Sequence, residues 1–173
     1  MTIKKEKREM SAEREIRIHI ESVTYEVEAS LFEAGDGEFL LTSDEIEASL
    51  EPEKMEIKSL GKFKIDGGRA EVSYEESEAT GMEGSVTAIS FDMTQPGIVT
   101  MIRTGLVSTA LVFEKGKRHH CVYNTPYMPF ELCVKTFEVK NRIPDGGILE
   151  LDYIIEIRGA KAERTKFMMK IMD

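Results

Sequence analysis

The stretch Leu149-Glu150-Leu151-Asp152-Tyr153-Ile154-Ile155-Glu156-Ile157 sets large apolar residues against acidic ones in near-strict alternation. A few residues on, Thr165, Phe167, Met169 and Ile171 alternate with Arg164, Lys166 and Lys170. A period of two sends successive side chains to opposite faces of an extended chain, so both segments read as strands with one dry and one wet face.

The same period runs back through the chain. Met55, Ile57, Phe63 and Ile65 share a parity, with Gly61 as an expected bend. Asp66-Gly67-Gly68 is a tight hairpin turn, and Val72 and Tyr74 follow on one face. Beyond a loop at Thr80–Gly84 come Thr87, Ile89 and Phe91, then Gln95-Pro96-Gly97 as an expected turn. Val99, Met101 and Val107 share a face, and Leu111 and Phe113 lead to a turn at Glu114–Lys117. A strand from His119 to Thr125, the loop Pro126–Pro129 and the series Phe130, Leu132, Val134 come next, closed by the turn Ile143–Gly147. Near the start, Ile16, Ile18 and Ile20 alternate with Arg17 and His19, but Val23, Tyr25 and Val27 carry on with the opposite parity. That slip predicts a bulge or turn around Glu21-Ser22.

Short turns join these strands, with no helical pattern between them. The expected fold is therefore all-β, an antiparallel meander of about eight to ten strands. A meander leaves two edges exposed, and closure into a barrel removes them; a sandwich is the second architecture. Residues 1–13 read as a charged tail and 14–173 as one domain. Residues 28–54 form an insertion, with a turn at Gly35-Asp36-Gly37. Within it either Ser43 or Asp44 caps a short helix carrying Ile46 and Leu50 and ended by Pro52, or the stretch forms an extra hairpin.

At 173 residues, 41% hydrophobic and 32% charged, the chain has the make-up of a folded globular domain. A formal charge of −9 argues against nucleic acid as a partner, because a phosphate backbone would be repelled. No stretch is long and apolar enough to span a bilayer, and no apolar core follows the basic N-terminus. The expected location is the cytoplasm, with Cys121 and Cys133 as thiols. No nucleophile, phosphate-loop, dinucleotide or zinc-hydrolase motif is legible, so catalysis is not expected and no cofactor is implied.

Several elements recur in a recognisable order. Arg103-Thr104-Gly105 follows an apolar strand; Tyr123-Asn124-Thr125-Pro126-Tyr127 comes next, then Leu132 and Thr136, then a strand with Leu151 and Tyr153. Upstream, Val72-Ser73-Tyr74-Glu75-Glu76 follows the Asp-Gly-Gly turn. In this order the chain resembles the YwiB-like family of small bacterial proteins, a domain of unknown function, over residues 14–27 and 55–172. Residues 28–54 are longer than that pattern. The resemblance implies a calycin-like (lipocalin-like) barrel, a fold that includes binders of small apolar molecules.

Two charged residues share the parity of apolar neighbours. Arg103 follows Val99 and Met101, and Glu76 follows Val72 and Tyr74. Inside a barrel they would form either a polar anchor for an anionic head group, a carboxylate or a phosphate, with Tyr74 and Tyr153 beside them, or an Arg–Glu or Arg–backbone contact near one end, with a bulge at Gly105 turning Arg103 outward. Tyr123, Thr125 and Tyr127 could line the mouth, though turn chemistry explains Thr125-Pro126 equally. His119 and Cys121 share a strand face, and a three-residue loop would set Cys133 opposite Cys121, giving three soft donors for one metal at a spacing that matches no zinc motif. The functions compatible with this pattern are binding of a small amphipathic or apolar ligand, a protein-interaction module with a filled barrel, homodimerisation included, and, last, an enzyme.

Overall fold

A computed structural model describes residues 11–28, 31–32 and 51–172. The insertion's turn at Gly35-Asp36-Gly37 and its helix or hairpin over 43–50 lie outside the described residues, as do residues 1–10 of the tail. Ten strands form one antiparallel sheet: β1 (Ala12–Val27), β2 (Glu53–Asp66), β3 (Arg69–Glu75), β4 (Val86–Asp92), β5 (Gln95–Thr104), β6 (Thr109–Glu114), β7 (Arg118–Asn124), β8 (Pro129–Asn141), β9 (Ile148–Ile157) and β10 (Ala162–Met172). Among the described residues, helix is confined to one turn, α1 (Ile143–Gly146), and a 3-10 turn at Glu78–Thr80.

The strand order β6-β5-β4-β3-β2-β1-β10-β9-β8-β7 is chain order written around a ring. The first and last strands zip together from Arg17↔Met172 to Val27↔Ala162. The ring is nearly closed at β6 and β7, which meet through a single bridge, Ser108↔Asn124. The turn between them adds Gly116 N–H to Thr136 O at 2.9 Å and Thr136 N–H to Lys117 O at 3.2 Å. Those bonds land beside the β8 bulge, where the register shifts between Thr136 and Glu138. The all-β barrel expectation holds.

Three local expectations do not. β1 has no bulge at Glu21-Ser22; its ladders to β2 and β10 run through without a register shift. The parity change has another cause: both faces of β1 are buried, one after the other. Ile16, Ile18, Ile20 and Ser22 face the barrel interior, while Val27 packs outside with Leu31, Cys133, Ile154 and Ala162 in a second small core. At Gly61 β2 keeps its register with β1. A Cβ there would sit 2.4 Å from Ile18 Cδ1 and 2.6 Å from Ser73 O, so glycine makes room for a core side chain. The turn expected at Gln95-Pro96-Gly97 falls earlier, at Met93-Thr94. Asp92 Oδ1 accepts both the N–H and the hydroxyl of Thr94, which closes the turn and leaves Pro96 in the opening residues of β5. Val107 likewise lies in the loop after β5, not on its face.

The middle of the barrel is filled. Ile18, Ile20, Ile89, Phe91, Phe113 and Met169 are all fully buried. Burial of each such side chain contributes about 1.5–3 kcal/mol, and this core is the main source of stability. Outside, the wall is uneven. β1 and β2 carry alternating charges, including Glu13, Glu15, Arg17, Lys58, Lys62 and Lys64, whereas the outward positions Val86, Ala88, Ile98, Ile102, Ala110 and Val112 on β4–β6 carry none. No helix among the described residues is long and apolar enough to cross a membrane.

Candidate functional site

Lateral pairing sets a row of inward side chains across four strands: Tyr74↔Thr87, Thr87↔Arg103 and Arg103↔Thr109. Glu76, one residue past β3, continues the inward parity of Tyr74, and its N–H bonds Ser85 O at 2.8 Å. Its carboxylate is almost wholly buried. One oxygen, Oε1, accepts the Thr87 hydroxyl at 2.6 Å and an Arg103 Nη2–H at 3.4 Å. The Arg103 Nε–H donates to Thr87 Oγ1 at 3.2 Å. Thr87 thus donates a hydrogen bond to Glu76 while accepting one from Arg103, and the three side chains hold one another in place.

Arg103 points inward, so the expectation that Gly105 turns it outward is corrected. Gly105 has a different task. Its φ is +151°, and a Cβ would come within 2.5 Å of Ser85 Oγ. Without a side chain it lets the chain leave β5 hard against the end of the 76–85 loop. The Arg103 side chain is 17% exposed. A guanidinium has five N–H groups, and the contacts to Thr87 and Glu76 use two, which leaves three without a protein acceptor among the described residues.

The surroundings are polar but protonated. Burial pushes the Tyr74 phenol well above its ordinary range; the Glu76 charge adds to this and Arg103 opposes it. The Tyr153 phenol rises to about 12, again chiefly through burial and against the pull of Arg103, so both rings remain hydroxyl donors at neutral pH. The Tyr153 ring packs on Phe113 with centroids 4.6 Å apart. Thr109 Oγ1 is buried with no hydrogen-bond partner; the Cys121 thiol lies beside it, outside hydrogen-bonding geometry. Sequence reading missed Thr87 and Thr109. Their only signal was parity, since each keeps step with buried neighbours on its strand.

These groups lie at the barrel end formed by the loops after β3, β5, β7 and β9. The Ser108–Asn124 bridge sets the 105–108 loop beside the 125–128 loop. The rim they form exposes Leu106, Tyr127 and Met128, at 78%, 94% and 54%. On the β1, β2 and β10 side of the same end, Glu26, Glu53 and Glu163 lie close together. Burial first, then the charges of Glu53 and Glu26, raises the Glu163 carboxyl above its usual range.

The sequence-predicted residues divide accordingly. Arg103, Glu76, Tyr74 and Tyr153 come together. Tyr123 packs against the core, and Tyr127 stands in solvent. Thr125 holds its turn: its Oγ1 donates to Met128 O at 2.8 Å and accepts the N–H groups of Tyr127 and Met128. That turn has four residues, not three, so Cys133 pairs with His120 and not with Cys121. The proposed metal trio is therefore corrected. Cys133 lies in the outer core, Cys121 faces inward, and His119 sits near the opposite end, with Nε2 3.6 Å from Glu114. Elsewhere, His19, Glu21 and Glu56 bring three ligating atoms within 4.8 Å on the outer wall, but Lys58 already draws on the same Glu56 oxygen at 3.8 Å.

The outer core has its own polar frame, which the sequence did not announce. Arg164, 2% exposed, donates to Asp152 at 2.9 and 2.7 Å and lies 4.8 Å from the Phe137 ring centre. Arg118 bonds Leu31 O at 2.7 Å, Glu156 accepts the Leu31 N–H, and Arg158 stacks 4.2 Å over Phe32. Together these pin residues 31–32 to the barrel wall.

No curated protein matches this chain. Among solved structures, the crystal structure of the ywiB protein from Bacillus subtilis superposes with a TM-score of 0.66 over 93% of this chain and 94% of that one. At 15% identity that likeness speaks to the fold alone. The family described as "Domain of unknown function (DUF1934)" matches residues 40–169, and the chain belongs to that family.

Proposed function

We propose that the protein is a non-catalytic binder of a small amphipathic molecule, taken head first at the Arg103 end of the barrel. One observation carries this reading: an arginine faces into the barrel, is held by Thr87 and Glu76, and keeps three N–H groups without a protein acceptor among the described residues. The open donors reach solvent at the barrel end, where an anionic or polar group could take the place of water and meet the guanidinium with charge-assisted hydrogen bonds. Because the side chain is already fixed, binding would need little reordering. The exposed apolar rim at Leu106, Tyr127 and Met128 suits a hydrocarbon portion that stays near the surface. The filled middle limits the depth to which such a ligand could enter.

A second reading, self-association, draws on the outer wall of β4–β6, whose outward charges, Asp92 and Glu114, are confined to one end of the strands. Two copies of a chain with charge −9 could meet over the rest of that wall without opposing like charges. Native mass spectrometry of freshly purified protein tests both readings. Ligand binding predicts a small-molecule adduct on the wild type that is lost in Arg103→Met. An adduct-free wild type, or an adduct retained by Arg103→Met, would count against it. A dimer free of ligand would favour self-association.

A further inference from the structure

We propose that the Arg103 site selects a monocarboxylate head group over a phosphate and over a neutral hydroxyl, which makes the ligand a small aliphatic acid. This rests on the ligand-binding reading above and specifies its chemistry.

The first argument is charge. Glu76 already lies 3.4 Å from Arg103 Nη2, so the site holds one positive and one negative group before any ligand arrives. An incoming single charge gains the guanidinium at close range, and Glu76 leaves room for only one such charge. A dianionic phosphate would bring a second charge with no further cation to meet it. On the far side of the mouth stand Glu26, Glu53 and Glu163; the charges of Glu53 and Glu26 add to the rise that burial gives the Glu163 carboxyl. That rim repels excess negative charge more strongly still.

Geometry gives the second argument. A guanidinium edge presents two parallel N–H groups that match the two oxygens of one carboxylate, and Arg103 has three such groups free among the described residues. Next to it across the β5–β6 ladder, Thr109 is 7% exposed and its hydroxyl has no hydrogen-bond partner. A carboxylate has lone pairs for that hydroxyl as well. A neutral alcohol offers a single oxygen, accepts from two donors at most and leaves the charge of Arg103 unanswered. The third argument is the rim, whose Leu106 and Met128 are apolar and exposed and would cover a short alkyl chain.

Calorimetric titration of the full chain with hexanoate, hexyl phosphate and 1-hexanol tests the inference. Hexanoate should bind at least about tenfold tighter than either of the others. Arg103→Met should abolish its binding. Thr109→Val, a near-isosteric change that leaves the ion pair intact, should weaken it about three- to tenfold, and it keeps the test decisive if Arg103→Met does not fold. Glu76→Gln should narrow the gap between hexanoate and hexyl phosphate by removing the resident negative charge. Equal or tighter binding of hexyl phosphate or hexanol would overturn the head-group assignment while leaving the binder reading in place. Absence of hexanoate binding at millimolar concentration would overturn the assignment too. If native mass spectrometry also finds no Arg103-dependent adduct, the binder reading falls with it.

Discussion

Removing the Glu76 carboxylate should be among the most damaging single changes in this barrel, and the damage should be largely reversed by removing Arg103 and the Thr87 hydroxyl as well. In Glu76→Ala the Thr87 hydroxyl, wholly buried, loses an acceptor at 2.6 Å. Leaving a buried donor unsatisfied costs about 1–3 kcal/mol. Arg103 loses its counter-ion as well. Breaking a fully buried pair costs roughly 3–5 kcal/mol, but Arg103 is 17% exposed and its contact to Glu76 is long at 3.4 Å, so its share lies well below that range. The two losses share a network and do not simply add, which places the total near 3 kcal/mol. For a chain of this size that lowers Tm by roughly 6–12 °C. The triple variant Glu76→Leu, Thr87→Val, Arg103→Met replaces the whole network by apolar side chains of similar volume and should fall within about 1 kcal/mol of wild type. Urea unfolding followed by far-UV circular dichroism measures all three proteins. A Glu76→Ala protein within 0.5 kcal/mol of wild type, on the order of the measurement's own scatter, would refute the claim that this network is closed and desolvated.

Gly105→Ala should cost roughly 2–3 kcal/mol, because its φ of +151° disfavours any side chain and the new methyl would meet Ser85 Oγ at 2.5 Å and Cα at 2.9 Å. The same unfolding assay reads it, and a neutral substitution would mean that the 85 and 105 backbones do not meet closely. Glu163→Gln probes the acidic rim through pH. The folded-state carboxyl is raised above its unfolded value. Its proton is therefore held more tightly in the folded protein, and the folded state is penalised as pH rises through that raised value. Glutamine removes the penalty, so Tm should exceed wild type at pH 7–8 by roughly 1–2 °C, a gain that vanishes toward pH 4 as the native side chain protonates. Equal Tm values at both pH values would show that the three glutamates do not interact.

Alternation made the strands legible, because one dry face leaves a period-two trace in the sequence. It failed where that premise failed. In β1 the buried face changes from the inside, at Ile20 and Ser22, to the outside, at Val27, and a sequence cannot tell a strand with both faces buried in turn from a strand with a bulge. Arg164 and Asp152 were read as wet-face residues for the same reason: their parity is outward, and the cover that dries them comes from elsewhere in the fold. The inward Arg103 and Glu76 were legible because a charge in step with valine and methionine contradicts its surroundings. Thr87 and Thr109 contradict nothing, since threonine is at home in any strand, and only the cross-strand register makes them neighbours of Arg103. The metal trio failed by a single residue of loop length, since one step in a hairpin moves a side chain to the opposite partner and Thr125 lengthens the turn by binding across it.

The location of the site follows from the packing of the rest. Phe91, Phe113, Ile20 and Met169 fill the interior between the two ends, so a ligand would have to be held at an opening. The two openings differ. At one, chain reversals are tight, as at Asp66–Arg69 and Asp92–Gln95, and Arg69 ties back to Ser90 at 2.8 Å. At the other, the connections 76–85 and 105–108 are longer and carry the exposed Leu106, and beneath them lie Tyr74, Thr87, Arg103 and Thr109 in one row. A barrel that needed Arg103 only to neutralise Glu76 would gain as much from an apolar pair at both positions, at no cost in desolvated charge. On the proposed reading, Arg103, oriented by Thr87 and with three donors open among the described residues, would receive a single negative charge in a way that an apolar pair could not.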